Sequence, residues 1–246
     1  MSPEHRYELK FIIDAETKNE LLRLAEPGLM PDPHGEQGLY RVSSQYFDTR
    51  DFQGYWEKLD GVGYRRKFRL RYYGEGESGA FFEIKHRYDQ TVYKERVPLL
   101  EESWKELIAG EASLGCLEAY VPELEGAQRR TLTQIVLAAN QRPLLGASII
   151  SYLRQAWVGR YDQRLRVTFD HLVRAFPAGD HTVPWEQHGA ACLPDSRILL
   201  EVKFNDRLPV WLRDCICQVA VQPIRFSKYA TGMDALSERA STALTL

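Results

Sequence analysis

Two segments of the sequence repeat the pattern Arg-Leu-Arg, at residues 69–71 and 164–166. In both segments apolar residues alternate with polar ones beyond the repeat, which is the period of a β-strand with one apolar and one polar face. The planar guanidinium group binds phosphate oxygens in pairs. The two repeats therefore indicate a sheet face that binds phosphate groups.

Eight segments show this alternation and are predicted to be strands: 6–13, 40–47, 64–73, 80–87, 92–98, 149–156, 163–170 and 198–205. Their charged positions share one face and comprise Glu8, Lys10, Lys67, Arg69, Arg71, Glu83, Lys85, Lys94, Arg96, Arg154, Arg164, Arg166, Glu201 and Lys203. Basic residues outnumber acidic ones there, although the chain has a net charge of −2. A solvated face of an antiparallel sheet explains the alternation. The clustered cations favour a bound anion, because like charges on neighbouring strands are destabilising.

Helical patterns lie between and after the strands, at 14–26, 103–110, 125–140, 208–220 and 227–240, and residues 171–197 are predicted to form a long loop. Asp14 and Ser227 are candidate N-caps. Eight strands can close into a barrel with a narrow interior. We therefore expect an α+β fold, an eight-stranded antiparallel β-barrel or tunnel with flanking helices, and a single domain over residues 1–246.

Several classes of function are disfavoured by the sequence. No serine or cysteine is accompanied by a histidine at the spacing of a nucleophile and its base. The aromatic residues do not form the spaced stacking platform of single-strand binders, so nucleic acid is not expected as a ligand. No run of about 18 apolar residues is present. We expect a cytoplasmic protein with no membrane segment of its own, and a membrane partner is left open.

Nine short motifs, in order, resemble the VTC domain: YELK (7–10), YFDT (46–49), RLRYYG (69–74), FEIK (82–85), YKERV (93–97), YLR (152–154), LRVTFD (165–170), LLEVK (199–203) and FSKYATGM (226–233). This domain is the polyphosphate polymerase module of the vacuolar transporter chaperone complex, within the triphosphate tunnel metalloenzyme superfamily. The resemblance extends from about residue 6 to residue 234.

The resemblance implies a tunnel that binds ATP, inorganic polyphosphate and a divalent metal, either manganese or magnesium. It implies that phosphate is held by Lys10, Arg69, Arg71, Lys85, Arg154 and Arg166, with secondary contributions from Lys94, Arg96, Lys203 and Lys228. Glu201 would bind the metal. Glu8 is either a second metal ligand or a charge partner of Lys10. The implied reaction transfers the γ-phosphate of ATP to a growing polyphosphate chain.

Two other functions stay open at this point. Hydrolytic relatives usually begin with Glu-x-Glu-x-Lys, whereas residues 6–10 read Arg-Tyr-Glu-Leu-Lys, and the loss of one acid favours transfer over hydrolysis. The alternatives are a tripolyphosphate or nucleoside triphosphate hydrolase and a non-catalytic polyphosphate-binding module. Glu201 could instead form a salt bridge with an inward arginine, and Glu83 is interpreted as a charge partner. Arg65 and Arg66 are interpreted as solvated surface.

Overall fold

The computed structural model describes residues 6–74, 79–89, 91–100, 103–179 and 189–243. Within these ranges the strands are β1 (Arg6–Ile13), β2 (Leu29–Pro31), β3 (Leu39–Asp48), β4 (Tyr64–Tyr73), β5 (Ala80–Tyr88), β6 (Thr91–Pro98), β7 (Leu145–Gly159), β8 (Arg166–Pro177), β9 (Ala190–Ala191) and β10 (Ile198–Asn205). The helices are α1 (Ala15–Ala25), α2 (Gln53–Leu59), α3 (Ser103–Ala109), α4 (Gly126–Gln141), α5 (Val210–Gln218) and α6 (Lys228–Ala243). Short 3₁₀ helices cover Glu26–Gly28 and Leu114–Tyr120.

The ten described strands form one antiparallel sheet with the order β1-β10-β8-β7-β3-β4-β5-β6. The two short strands lie off this path, with β2 paired to β7 and β9 paired to β8. All eight predicted strands are present, and the α+β fold with an antiparallel sheet is confirmed.

The sheet forms a tunnel that backbone hydrogen bonds do not close into a complete barrel. Strands β1 and β6 stand at opposite ends of the hydrogen-bonded order, and no backbone ladder joins them in the described part of the chain. The sheet curls until β1 lies alongside β6. Across this seam the Lys85 ammonium of β5 donates a hydrogen bond to Oε2 of Glu8 on β1, at 3.0 Å. Side chains rather than backbone bonds therefore bridge the seam of the tunnel.

Strand β8 differs most from its prediction. It begins at Arg166 and continues to Pro177, through the first part of the predicted loop. The pairing of β7 with β8 shifts register between Ser151 and Leu153, and Leu172 lies there at φ 49°. This bulge interrupts the alternation that marked the strand. Arg164, predicted to share the charged face, instead lies before β8, where it is exposed and forms a salt bridge with Asp162 at 2.9 Å.

The outer faces of the strands are covered by helices. Leu70 and Phe82 from β4 and β5 pack with α3 and α4, while Val167, Phe169 and Val202 pack against α1 and α5. These outward residues have the predicted parity, so the alternate positions on each strand face the interior of the curled sheet. The described helices include none that is long and apolar enough to cross a bilayer.

Candidate active site

The concave side of the sheet encloses a cavity of about 450 Å³. All ten basic residues that were predicted to hold phosphate, and both carboxylates that were predicted to bind metal, line this cavity. Four further cations line it as well, namely Lys58, Arg65, Lys67 and Arg87. Among the described residues only Glu8 and Glu201 contribute carboxylates to its wall. The cavity is therefore strongly positive, although the whole chain is slightly negative.

Glu201 lies at the centre of the main charge cluster. Its Oε1 accepts a hydrogen bond from Lys228 at 2.6 Å, and its Oε2 accepts one from Lys203 at 2.6 Å. Arg154 and Lys10 lie 3.2 and 3.4 Å from its oxygens. Burial alone would raise the pKa of Glu201, but the surrounding cations, led by Lys203 and Lys228, hold it well below the ordinary value. Glu201 is therefore a carboxylate at neutral pH.

Asp170 is a second buried carboxylate in this cluster, and it lies behind the cavity wall. Arg154 binds it in a bidentate manner at 2.7 and 2.8 Å, and the Lys228 ammonium lies 2.6 Å away. Asp170 was not predicted as a site residue, although its parity on β8 is that of Arg166. By fixing Arg154 and Lys228, Asp170 orients two of the cations that contact Glu201.

A separate carboxylate supports the other wall. Glu83 of β5 is fully buried and binds the guanidinium of Arg69 at 2.6 Å and the ammonium of Lys94 at 2.9 Å. This geometry agrees with the interpretation of Glu83 as a charge partner. Arg69 also donates to the Tyr46 hydroxyl at 3.2 Å. Arg69 and Lys94 are thus held by the fold itself.

Near the centre of the tunnel, Arg71 and Lys67 form hydrogen bonds only with neutral groups among the described residues. Arg71 donates to Ser44 Oγ and to the Tyr152 hydroxyl, both at 3.2 Å. Lys67 donates to Ser227 Oγ at 2.7 Å, just before α6. Burial and then the neighbouring cations Lys85 and Lys10 place the pKa of Lys67 well below its ordinary value. These are the positions where a phosphate group would relieve the most electrostatic cost.

The cavity ends in two rims. At one rim Arg166 is about one-third exposed and forms a salt bridge with Asp32, which precedes β3. At the other rim lie Arg65 and Arg87, which are paired across β4 and β5. The interpretation of Arg65 as solvated surface is therefore wrong, because it faces the cavity, whereas Arg66 is exposed on the other side of the strand.

Comparison with known proteins identifies the family. The family model of the VTC domain matches residues 5–237. The chain belongs to the VTC domain family. This VTC domain resembles a Hippeastrum protein assigned as an adenylyl cyclase and described as having a dominant triphosphatase activity, with 15% identity over 94% of this chain and 96% of that chain and a TM-score of 0.54. A Bacillus halodurans protein assigned as an adenylate cyclase is 15% identical over 92% and 96% of the two chains, with a TM-score of 0.49. A search of curated proteins finds no match.

The carboxylates of the VTC domain suit a divalent metal that also binds phosphate. The described residues contain no group of three or more His, Cys, Asp or Glu side chains arranged to hold a metal. Magnesium and manganese, however, are commonly bound by one or two carboxylates together with substrate phosphates. Glu8 and Glu201 are close enough to influence each other's pKa, and both share Lys10 and Lys203 as partners. The donor set therefore fits a metal that completes its shell with phosphate oxygens.

A pH dependence of binding follows from Lys94. Burial, opposed by Glu83 and reinforced by Arg69, lowers the pKa of Lys94 to about 8. A bound anion favours the charged lysine, so we expect tripolyphosphate affinity to fall as the pH rises through about 8, with proton uptake on binding at that pH. Calorimetry in buffers of different ionisation enthalpy measures this uptake.

The Lys94→Gln variant is the control, because it retains the titration of the ligand itself. We expect a smaller proton uptake in this variant, and an unchanged uptake would contradict the assignment.

The effect of pH on the stability of the protein has the opposite sign to its effect on ligand affinity. Between pH 8 and the ordinary lysine value of 10.5, the unfolded chain binds more protons at this position than the folded one. The contribution of Lys94 to the free energy of unfolding of the ligand-free protein therefore increases with pH in that range.

Proposed function

We propose that this VTC domain is a polyphosphate polymerase that uses ATP. An oxygen of the terminal phosphate of a polyphosphate chain attacks the γ-phosphorus of ATP. The bond from the γ-phosphorus to the β–γ bridging oxygen breaks, and ADP leaves while the chain gains one phosphate. The attacking oxygen is already ionised, so the reaction needs no nucleophilic side chain and no paired base.

The observation that carries the proposal is the composition of the cavity wall. Cations from β1, β4, β5, β6, β7, β8 and β10 converge on it, and in the described part of the chain only Glu8 and Glu201 oppose them. Phosphoryl transfer depends mainly on positioning and on neutralising charge at the phosphoryl oxygens. The cations of the cavity wall supply both positioning and charge neutralisation. The two carboxylates of the wall offer little to activate water.

The named residues have distinct parts in this reaction. Arg69 and Arg154 are fixed by Glu83 and Asp170, so they present donors at constant positions. Arg71 and Lys67 provide charge that no carboxylate in direct contact neutralises, in the part of the chain that the structure describes. Glu201 and Glu8 would hold the divalent metal, manganese or magnesium, which supplies charge neutralisation between the phosphates when bound. Lys10, Lys203 and Lys228, which now contact these carboxylates, would bind phosphate beside the metal. The use of ATP fits a cytoplasmic enzyme.

Product analysis tests the proposal directly. Purified protein is incubated with ATP and manganese, the products are separated on a gel stained for polyphosphate, and free phosphate is measured in parallel. We expect a ladder of chains with ADP in equal amount to the phosphate incorporated. Free phosphate without chains would assign the protein as a hydrolase. The absence of both products would show that the protein is not an enzyme that acts on its own.

Hydrolysis of tripolyphosphate or nucleoside triphosphates is the second candidate. The Hippeastrum protein with the similar fold is described as having a dominant triphosphatase activity, which favours this alternative. Polymerase and hydrolase can be distinguished by whether phosphate from ATP appears in chains or in solution. A non-catalytic polyphosphate-binding module would bind the same ligands and yield neither product.

Ligand binding should also stabilise the fold. We expect tripolyphosphate to raise the melting temperature, because it binds the assembled cavity and not the unfolded chain. A concentration about one hundred times the dissociation constant adds roughly 2.7 kcal/mol to the free energy of unfolding. Differential scanning fluorimetry measures the shift, with sodium chloride of equal ionic strength as the control. An identical shift with the chloride salt would show screening rather than binding.

A further inference from the structure

One neutral residue of the cavity wall, Thr168 of β8, has a hydroxyl group with no hydrogen-bond partner among the described residues. The residue is 1% exposed, and it shares the inward face of β8 with Arg166 and Asp170. Within the described ranges it is the only residue lining the cavity that has a buried side-chain polar atom without a partner. A buried hydroxyl in this state costs free energy, and in native proteins such groups usually find a partner.

The side chains next to Thr168 offer no acceptor for its proton. Its Cα partner across β8 and β10 is Glu201, and both carboxylate oxygens of Glu201 are already in contact with cations. Both oxygens of Asp170 are bound by Arg154. On the β7 side the Cα partner is Ala156, which has no polar side-chain atom. The acceptor that suits the hydroxyl is therefore one that enters the cavity.

The charges around Thr168 indicate what kind of acceptor this is. Arg166 lies two residues before it on the same face, and Lys203 is paired with Arg166 across β8 and β10. Both cations line the cavity and attract an anion to this part of the wall. A hydroxyl can donate a short hydrogen bond to an anionic oxygen without adding charge. A phosphate oxygen satisfies the hydroxyl and the two cations together.

We propose that the Thr168 hydroxyl donates a hydrogen bond to an oxygen of the phosphate group that lies beside Glu201. This inference rests on the proposed function and adds a neutral donor to the cationic wall. Cations attract phosphate from many directions, whereas a threonine hydroxyl donates from one of a few staggered side-chain positions. Thr168 would therefore set the orientation of this phosphate group, in ATP and in tripolyphosphate alike.

The Thr168→Val variant tests the contact, because valine keeps the shape of the side chain and removes the hydroxyl. Calorimetry without metal should show tripolyphosphate affinity reduced by roughly tenfold or more, which is the effect of one hydrogen bond to a charged group. Thermal denaturation of the ligand-free protein should show an unchanged or higher melting temperature, because a buried hydroxyl without a partner is removed. The Thr168→Ser variant retains the hydroxyl and should keep most of the affinity.

Thr131→Val is the matched control. Thr131 is also buried, but it lies on α4 outside the cavity, and its hydroxyl donates to the backbone carbonyl of Ala127 at 3.0 Å. We expect this variant to bind tripolyphosphate as the wild type does. It should gain no stability, because its substitution removes a hydrogen bond that the fold already makes.

Several outcomes would overturn the inference. Wild-type tripolyphosphate affinity in Thr168→Val would do so, and so would an equal loss in Thr168→Ser, which would assign the effect to packing of the methyl group. A lower melting temperature of ligand-free Thr168→Val would show that the hydroxyl has a partner within the fold. Weaker binding of manganese alone by Thr168→Val would assign the hydroxyl to the metal. A wild type that forms no polyphosphate would refute the polymerase, while the predicted loss of affinity would still support the contact.

Discussion

Replacing Arg71 by alanine is expected to weaken the binding of tripolyphosphate by roughly thirtyfold or more while leaving the fold stable. Arg71 is 8% exposed, and its described partners are the hydroxyls of Ser44 and Tyr152. Removal of one member of a buried, hydrogen-bonded charge pair costs about 2–5 kcal/mol of binding free energy, which corresponds to a loss of roughly thirtyfold or more. No described buried carboxylate loses a contacting cation in this variant, because Glu83 keeps Arg69 and Lys94. Isothermal titration calorimetry measures the affinity, and thermal denaturation measures the stability.

Arg69→Ala is the matched comparison, two residues away on the same face of β4. Arg69 neutralises Glu83, whose side chain is fully buried, and among the described residues only Lys94 would remain as a cation in direct contact with it. An incompletely compensated buried charge costs on the order of 3 kcal/mol. Arg69→Ala should therefore lose both binding and stability, and the additional change Glu83→Gln should restore part of the stability. Equal stability of the two alanine variants, or retained binding by Arg71→Ala, would contradict this division of roles.

The strands and their inward faces could be predicted from the sequence because alternation is a local property. In β10 and in the first half of β8 the apolar parity is uninterrupted, so Val202 and Val167 identified the buried face without tertiary information. The alternation ends at the bulge near Leu172, and the second half of β8 was therefore missed. Helix α2 was missed as well, since Phe52 precedes it in the left-handed region and provides no side-chain cap.

Pairing between distant parts of the chain could not be predicted in the same way. Alternation does not specify which strands are neighbours, so the seam between β1 and β6 follows only from the structure. The role of Asp170 depends on its contacts with Arg154 and Lys228, which no spacing in the sequence indicates. Arg65 is different, because it has the parity of Lys67 and Arg69 on β4, and alternation alone could have placed it on the charged face. The inward cations were predictable by parity. Which of them contact a buried carboxylate and which contact only neutral groups was not.

The Glu201→Gln variant is expected to lose metal-dependent turnover by roughly a hundredfold or more, which is the usual effect of removing one main electrostatic contact from a transition state. Glutamine preserves the shape but removes the charge that would bind the metal. The fold should tolerate the change, because Arg154 and Lys228 keep Asp170 as a partner, and Lys203 keeps Glu8. Without metal, tripolyphosphate should bind as well as in the wild type or more tightly, since one repelling carboxylate is gone.

Glu83→Gln is the control that separates metal binding from general electrostatics. Glu83 is also a buried carboxylate held by two cations, but it lies behind Arg69 and Lys94, away from the pair formed by Glu8 and Glu201. A titration of turnover against manganese should keep its midpoint in Glu83→Gln and show no saturable dependence in Glu201→Gln. Wild-type turnover in Glu201→Gln would show that the metal is held elsewhere. A shifted midpoint in Glu83→Gln would mean that the summed charge of the tunnel, rather than the local carboxylate pair, governs metal affinity.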